Sequence, residues 1–286
     1  MFKILDDISY VPTPRISTRV AELDWIYGGE EKNWGLPKGK ISLWSGPSGT
    51  GKSKSLISVS KLMSGAGHPI MYFQNEVTAK SFRGWIGPDR LPRTFYISEE
   101  TTLDAQINDI IMSKARLAIV DSVNQIKEFG NGHKKAIQLI YDRYRYATKK
   151  TGVHIVFICQ LDKQDQIKGG SELKFLSDTV VDLGYHIINK QIIDGYFTVN
   201  MGDKHRYGKT GQDLTSLWQH TDNGAVCISD NRLYNKDWCS SHNLCLKKRA
   251  VAPLGHTDEM VVGDNFSFYI PDAKIFKKSR KRRKVV

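Results

Sequence analysis

The sequence predicts an α/β fold with a mostly parallel central sheet that is flanked by helices and carries an antiparallel edge. Apolar segments of strand length alternate with segments of helical periodicity from residue 40 to residue 159, the order that parallel βαβ units produce. Two strand patterns then follow each other directly, near 179–188 and 194–202, with the turn-forming pair Asp194-Gly195 between them. This direct succession predicts the antiparallel edge.

The spacing of apolar residues, together with residues that begin or end helices, predicts the individual helices and strands. Thr18 is expected to cap a short helix that Gly28-Gly29 ends, and Gly152 follows the longest helical pattern, at 134–149. The remaining patterns predict strands at 40–45, 69–74, 94–97, 115–122 and 153–159, and helices at 54–63, 78–86 and 102–113.

Composition limits the classes of protein that the 286 residues can form. Hydrophobic residues make up 40% of the chain, enough for a buried core, and no run of about 18 apolar residues predicts a membrane span. Asp6 and Asp7 interrupt the start, where a signal peptide would stay apolar, so a cytoplasmic protein is expected. Four cysteines in a chain of this length fit reduced thiols better than a disulfide scaffold.

The net charge of +12 is unevenly distributed, because a short segment near the end of the chain is almost entirely basic. That tail comprises Lys277, Lys278, Arg280, Lys281, Arg282, Arg283 and Lys284. It is expected to bind a polyanion, of which nucleic acid is the commonest. A solvated tail and a nuclear-localisation signal are the alternatives.

Changes in pattern predict four regions along the chain. An extended lead-in at 1–14 ends in a Pro-Thr-Pro segment, and an α/β core follows at 15–226. After the core, periodicity weakens into a loop-rich extension at 227–276, and the basic tail occupies 277–286.

A glycine-rich motif between the first core strand and the next helix is the strongest functional signal. It reads Gly46-Pro47-Ser48-Gly49-Thr50-Gly51-Lys52-Ser53 and fits G-x-x-x-x-G-K-[ST] without a mismatch. Strand, glycine turn and helix are what a phosphate site needs, because backbone N–H groups and the helix start attract an anion. Lys52 is expected to reach the β- and γ-phosphates, and the Ser53 hydroxyl to ligate Mg²⁺. The motif therefore predicts a site for a nucleoside triphosphate.

Acidic residues follow two other predicted strands of the sheet. Glu76 comes after the strand at 69–74, where it can polarise a water for attack on the γ-phosphate; a surface acid is the alternative. Asp121 ends the apolar segment Leu117–Val120, the Walker B pattern in which the acid helps to hold Mg²⁺.

Polar and basic side chains follow the later strands. Gln160 directly follows the apolar strand at 153–159. It can contact the γ-phosphate and so couple the nucleotide state to the loop that follows. Lys204 and Arg206 stand two residues apart on a predicted strand, so both point the same way and can reach one phosphate group. Solvated strand residues are the alternative for this pair.

Three cysteines and a histidine near the end of the chain raise the question of zinc. Cys239-x-x-His242-x-x-Cys245 has tight ligand spacing, but Cys227 is predicted to lie in a strand and the pair spacing fits no familiar zinc finger. Zinc is therefore not expected. Cys159 is expected to be a buried strand residue and His154 to start the same strand without acting as a ligand, while Trp218 and Trp238 are expected to be packing residues.

Taken together, these motifs resemble the RecA-type motor core, and specifically RadA and the DnaB-like hexameric helicases. The segments Ile16-Ser17-Thr18, Glu22-Leu23-Asp24 and Gly28-Gly29 resemble the RadA lead into its phosphate loop. Lys204-His205-Arg206-Tyr207-Gly208 resembles the RadA motif Lys-Asn-Arg-Phe-Gly, with departures at 205 and 207. The resemblance covers about residues 15–226.

The resemblance implies ATP and Mg²⁺ as cofactors and a homo-oligomer, ring or filament, as the active form. Glu76 matches the catalytic glutamate and Asp121 the Walker B acid, while Lys204 and Arg206 match cations that reach the nucleotide of the neighbouring subunit. The segment from Lys168-Gly169-Gly170-Ser171 to Thr179 resembles the DNA-binding loop and helix of phage ring helicases. Gln160 and the loop up to Ser171 are expected to bind single-stranded DNA, with Lys163 and Lys168 meeting phosphates; a merely flexible lysine loop is the alternative.

The chain also departs from its relatives in ways that shape the functional hypothesis. The four-cysteine finger at the RadA N-terminus, its protease-like C-terminal domain and the N-terminal domains of primase-helicases are expected to have no counterpart here. What remains resembles a stand-alone core of the kind found in phage recombination proteins, which would work in the host cytoplasm. A DNA-stimulated ATPase for annealing, strand exchange or branch migration is expected, with a single-strand-binding protein or a primase as further partner. A replicative ring helicase and a KaiC-like signalling ATPase are the alternatives.

Overall fold

The structure is a computed structural model, and it describes residues 12–30, 33–87, 91–130, 133–161, 167, 171–188, 190–208, 215–222, 224–228, 260–263 and 266–269. Its α-helices are α1 (Ala21–Tyr27), α2 (Lys52–Gly65), α3 (Ala79–Ile86), α4 (Leu103–Ser113), α5 (Lys134–Thr151) and α6 (Ser171–Leu176). Short 3₁₀ helices span Val123–Gln125 and Lys127–Phe129. The strands are β1 (Arg15–Ile16), β2 (Gly29–Glu30), β3 (Asn33–Trp34), β4 (Leu36–Pro37), β5 (Ile41–Gly46), β6 (Ile70–Gln74), β7 (Phe95–Ser98), β8 (Leu117–Asp121), β9 (His154–Gln160), β10 (Thr179–Ile188), β11 (Gln191–His205), β12 (Thr215–Thr221), β13 (Gly224–Cys227), β14 (Met260–Gly263) and β15 (Phe266–Tyr269).

The main sheet of the described chain has nine strands in the order β13-β12-β11-β10-β5-β9-β8-β6-β7. From β10 to β7 every pair of neighbours is parallel, whereas β11, β12 and β13 run antiparallel to their neighbours. This arrangement confirms the predicted α/β fold with an antiparallel edge.

Two hydrophobic clusters lie on the two faces of the sheet, because successive strand residues point to opposite sides. In β8, Leu117 and Ile119 belong to the cluster that also contains residues of α2. Ala118 and Val120 belong to the cluster built with α4 and α5. Strands buried on both faces explain why these segments are apolar without alternation in the sequence.

The prediction of a turn at Asp194-Gly195 is wrong, because both residues lie within a strand. Pairing between β10 and β11 continues to Ile188 and Gln191, so the hairpin turns before Gln191, and Asp194-Gly195 lies inside β11. There the register shifts, because Tyr185 pairs with Phe197 whereas Ile187 pairs with Ile192. Gly195 has φ +80°, so the turn-forming residues make a β-bulge instead of a chain reversal.

Thr18 does not cap α1, which begins three residues later. The residue before the helix is Val20, and it makes no side-chain cap. The Thr18 hydroxyl instead donates to Asp24 Oδ1 at 2.7 Å, and the Thr18 N–H reaches the same oxygen at 2.6 Å. A carboxylate one turn into α1 therefore holds the preceding loop. Gly28 ends the helix as expected, with φ +65°.

The antiparallel strands β12 and β13 pack directly onto α2. Lys54 Nζ donates to the Thr221 carbonyl at 3.2 Å, and the Ala225 N–H donates to Ser58 Oγ at 2.9 Å. The start of the helix after the glycine-rich motif is therefore attached to the far edge of the sheet. In the described part of the chain, no helix is long and apolar enough to cross a membrane.

Candidate nucleotide-binding site

The glycine-rich motif forms the loop between β5 and α2, as the sequence predicts. Gly51 stands at the start of α2 with φ +79°, a conformation that favours glycine. A Cβ atom at Gly51 would come within 2.6 Å of the Phe197 ring and 2.9 Å of His220 Cε1. Both backbone shape and lack of space therefore require glycine here, and the contacts bring β11 and β12 against the loop.

Lys52 lies inside the loop that carries it. Its Nζ donates to the Gly46 and Pro47 carbonyls, each at 2.7 Å, and the residue is only 7% exposed. Burial lowers the pKa of Lys52, and the charge of Asp121 opposes this shift. A phosphate oxygen would compete with the two carbonyls for the same ammonium group.

Asp121 ends β8 and is buried beside the loop. The Tyr72 hydroxyl donates to Asp121 Oδ2 at 2.8 Å, and the Ser53 hydroxyl also hydrogen-bonds this carboxylate. Burial raises the pKa of Asp121 to about 6, although the two hydroxyl groups oppose the shift. A hydroxyl and a carboxylate on adjoining elements supply the hard oxygen ligands that Mg²⁺ prefers, so the residues present fit this ion.

Glu76 and Gln160 meet across two strand ends. Gln160 Nε2 donates to Glu76 Oε1 at 3.1 Å, although the residues are 84 positions apart in sequence. Both side chains are exposed, and both line the same pocket as Lys52, Ser53 and Asp121. The structure thus brings together the five side chains that the sequence predicts around a triphosphate.

The pocket is a cavity of about 550 Å³ that extends beyond the predicted residues. Trp85 of α3, Asp194 and Gly195 of β11 and His220 of β12 line it as well. Sequence reasoning missed these four residues. The Asp194-Gly195 pair was visible as a turn signal, but its position at the pocket depends on the bulge in β11.

His220 is the most distinctive of the additional residues. Its ring lies 4.7 Å from the Phe197 ring, and its Nδ1 is buried without a hydrogen-bond partner among the described residues. Burial and the nearby Lys54 lower the pKa of His220, so the ring is neutral at neutral pH. A neutral ring at the wall of the pocket can stack on a base.

Lys204 and Arg206 do not line this pocket. Lys204 Nζ donates to the Lys174 carbonyl at 2.9 Å and to the Phe175 carbonyl, both at the end of α6. Arg206 lies one residue beyond β11, with its Nη1 3.6 Å from Asp178 Oδ1. Both cations thus lie beside the segment that joins α6 to β10.

His205, between the two cations, faces inward and fixes the backbone. Its Nε2 donates to the Tyr27 carbonyl at 2.7 Å, and its Nδ1 pairs with the Thr179 hydroxyl at 2.9 Å. Burial lowers the pKa of His205 to about 4, so the neutral ring is retained. A Cβ at Gly208 would collide with this ring, which explains the glycine in the Lys-x-Arg-x-Gly segment.

The remaining predicted residues fall in two groups. Cys159, Cys227, His154 and Trp218 are buried in strands, as expected, and Ser171 begins α6. Several predicted residues lie outside the described part of the chain: Lys163, Lys168, Gly169, Gly170, Trp238, Cys239, His242, Cys245, Lys277, Lys278, Arg280, Lys281, Arg282, Arg283 and Lys284. Their roles stay predictions.

The sheet, the glycine-rich loop and the carboxylates at neighbouring strand ends define a P-loop nucleotide-binding core of the α/β class. Among solved structures, the chain is similar to the KaiC-like protein PH0186 from Pyrococcus horikoshii OT3, with a TM-score of 0.58 and 16% sequence identity. The match covers 76% of this chain and 99% of that one, and at this identity it shows the fold alone.

Sequence comparison narrows the class further. The chain is 26% identical over 230 residues to the DNA repair protein RadA of Mycolicibacterium smegmatis, a match that covers 76% of this chain and 46% of that protein. It is 25% identical over 175 residues to RadA of Bacillus subtilis, covering 59% and 37% respectively. No family model matches the chain. The chain therefore carries a RadA/RecA-type ATPase core and spans less than half the length of these curated relatives.

Proposed function

We propose that the protein is an ATP-dependent motor that binds single-stranded DNA and acts in recombination, repair or replication. The observation that carries the proposal is that the two cations of the Lys-x-Arg-x-Gly segment lie apart from the nucleotide pocket. Lys52, Asp121 and Glu76 line this pocket. Lys204 and Arg206 lie outside it. An arginine supplied by a neighbouring subunit is a recurrent way to stabilise the charge that develops during phosphoryl transfer. ATP would thus be hydrolysed between copies of this chain.

Five of the pocket residues have roles in phosphate binding and hydrolysis in this proposal. Lys52 binds the β- and γ-phosphates, and Glu76 takes the proton of the attacking water. Ser53 and Asp121 would hold Mg²⁺, which neutralises charge on the phosphate oxygens when bound. Gln160 holds Glu76 in place and begins the segment that precedes α6, so a contact of this segment with DNA can alter the position of Glu76.

The nucleoside lies, in this proposal, at the end of the pocket beyond Lys54. His220 provides a ring face, and Asp194 and Gly195 at the bulge of β11 line the same pocket. This placement leaves the phosphates at Lys52 and the γ-phosphate near Glu76.

The proposal is tested by measuring ATP turnover per chain over a wide range of protein concentration, with and without a thymidine oligonucleotide. Turnover should rise steeply with concentration, because a single copy lacks Arg206 at its own pocket, and the oligonucleotide should raise it further. High salt should weaken the oligonucleotide effect, since phosphate contacts release counterions. If turnover per chain depended on neither protein concentration nor DNA, the motor function would be rejected and only nucleotide binding would remain.

The same assays separate the alternative functions. A concentration-dependent ATPase that ignores DNA would favour a signalling role, the alternative that resembles KaiC. If DNA stimulates turnover, strand-displacement and strand-annealing assays with and without ATP distinguish a ring helicase from a recombination protein.

Changing His220 to alanine should weaken ATP and ADP binding by about 2- to 10-fold, because a stacked ring is lost. Binding of tripolyphosphate should not change, since this ligand has no nucleoside. Titration calorimetry with both ligands measures the difference.

His220→Phe and His186→Ala are the matched variants for this test. Phenylalanine keeps the stacking face and should retain most of the affinity, while His186 lies on β10 of the same sheet but does not line the pocket. An equal loss of ATP and tripolyphosphate binding in His220→Ala would contradict the placement of the nucleoside. Lys52→Ala, in contrast, should weaken both ligands.

A further inference from the structure

Asp178 is a buried acid between α6 and β10 whose polar groups are all used. The residue is 8% exposed, and its Oδ2 accepts the Ile41 N–H at 3.0 Å. Its own N–H donates to the Ile41 carbonyl at 2.8 Å, and its carbonyl accepts the Arg206 N–H at 3.1 Å. Its Oδ1 lies 3.6 Å from Arg206 Nη1. One residue therefore contacts both the backbone and the side chain of Arg206.

These contacts connect Arg206 to the strand that leads into the phosphate loop. Ile41 is the first residue of β5, and Gly46 is its last. The position of the Arg206 turn is therefore fixed relative to the copy's own nucleotide site, although Arg206 does not line that site.

Arg206 keeps donors available despite this contact. Its side chain is 47% exposed, and a guanidinium group carries five N–H donors in a planar fork. The Asp178 carboxylate attracts the guanidinium through an ion pair at 3.6 Å, and the exposed part of the group can still reach a phosphate.

The charge of Asp178 also matters for Lys204. Burial lowers the pKa of Lys204, and the nearby charge of Arg206 lowers it further. The charge of Asp178 acts in the opposite direction and raises this pKa. The carboxylate thus offsets part of the repulsion between the two cations.

We infer that Asp178 is a positioning residue: its carboxylate holds Arg206 in the orientation from which the guanidinium reaches the nucleotide of a neighbouring copy. This inference rests on the proposed function, because it assigns a purpose to the contact only if Arg206 acts between copies. The alternative is that Asp178 has a structural role only and connects β5 to the start of β10.

Asp178→Asn separates the two explanations. The amide oxygen can still accept the Ile41 N–H, and the backbone contacts remain, but the negative charge beside Arg206 is lost. In the assembled protein kcat should fall by on the order of 10-fold, because a misdirected catalytic group loses much of its effect. Binding of a fluorescent ADP analogue and the thermal midpoint should stay close to wild type. Asp104→Asn is the matched control, since Asp104 pairs with Arg143 at an exposed site.

The decisive measurement is the same change in an Arg206→Ala background. If Asp178 acts through Arg206, Asp178→Asn should cause no further loss of kcat there. An equal loss in both backgrounds would overturn the inference in favour of a structural role. Unchanged kcat in Asp178→Asn would overturn it too, while leaving the proposed function intact if Arg206→Ala is impaired. Full activity of Arg206→Ala itself would instead reject the proposed function.

Asp178→Glu is the second variant, in case Asp178→Asn lowers the thermal midpoint. It keeps the charge but moves the carboxylate by one methylene group. A positioning role predicts a loss of kcat that disappears in the Arg206→Ala background, and a loss that persists there would contradict it.

Discussion

Changing Arg206 to alanine should lower the ATP turnover number of the assembled protein by on the order of 10³-fold, the magnitude typical of a trans-acting arginine. The side chain lies outside the copy's own pocket and is about half exposed, so its loss should not affect ATP binding to a single copy. Steady-state turnover at high protein concentration and nucleotide titration at low concentration measure the two properties. Arg143→Ala, an exposed arginine paired with Asp104, is the control.

A mixing experiment shows whether Arg206 acts between copies. An Arg206→Ala copy keeps Lys52, Glu76 and Asp121, whereas a Glu76→Gln copy keeps Arg206. In mixed assemblies some interfaces contain both an intact pocket and an intact arginine, so turnover should recover above that of either variant alone. If Arg206 acted within its own copy, mixing would restore nothing.

Glu76→Gln should lower kcat by about 10²- to 10⁴-fold, the range for loss of a general base, while ATP affinity is retained. Glutamine has nearly the same shape and can still meet Gln160, so the pocket should keep its geometry. Single-turnover hydrolysis and ATP titration test this expectation.

Glu100→Gln is the matched control for Glu76→Gln. Glu100 stands two residues after β7, just as Glu76 stands two residues after the neighbouring strand β6, and both side chains are exposed. The control should keep full turnover, because Glu100 does not line the pocket. Equal losses in the two variants would show that acid removal at this edge, and not base catalysis, causes the effect.

The features that the sequence predicts well are encoded in short segments. The phosphate loop needs glycines, a lysine and a hydroxyl at fixed spacing, and buried parallel strands need continuous apolar runs. Glu76 and Asp121 were predictable as site candidates because the carboxyl ends of parallel strands meet at one edge. The contact between Gln160 and Glu76 follows from the same geometry.

The features that sequence reasoning misses depend on contacts between distant segments. Thr18 is a good cap residue by type, but Asp24 competes for its hydroxyl and N–H. Asp194-Gly195 has turn chemistry, but pairing of the strands extends past it. His220 carries no local signal, because it reaches the pocket only when β12 packs onto the helix after the phosphate loop.

The packing of β12 and β13 on α2 has a consequence for how the chain can be divided. Phe197 and His220 cover Gly51, Lys54 is attached to Thr221, and Ser58 accepts from Ala225. A fragment that stops before Thr215 would therefore lose one side of the pocket. It would also lose the contacts that hold the first turns of α2. We therefore expect that a fragment able to fold and bind nucleotide has to extend through Cys227, because β12 and β13 support the helix that follows the phosphate loop.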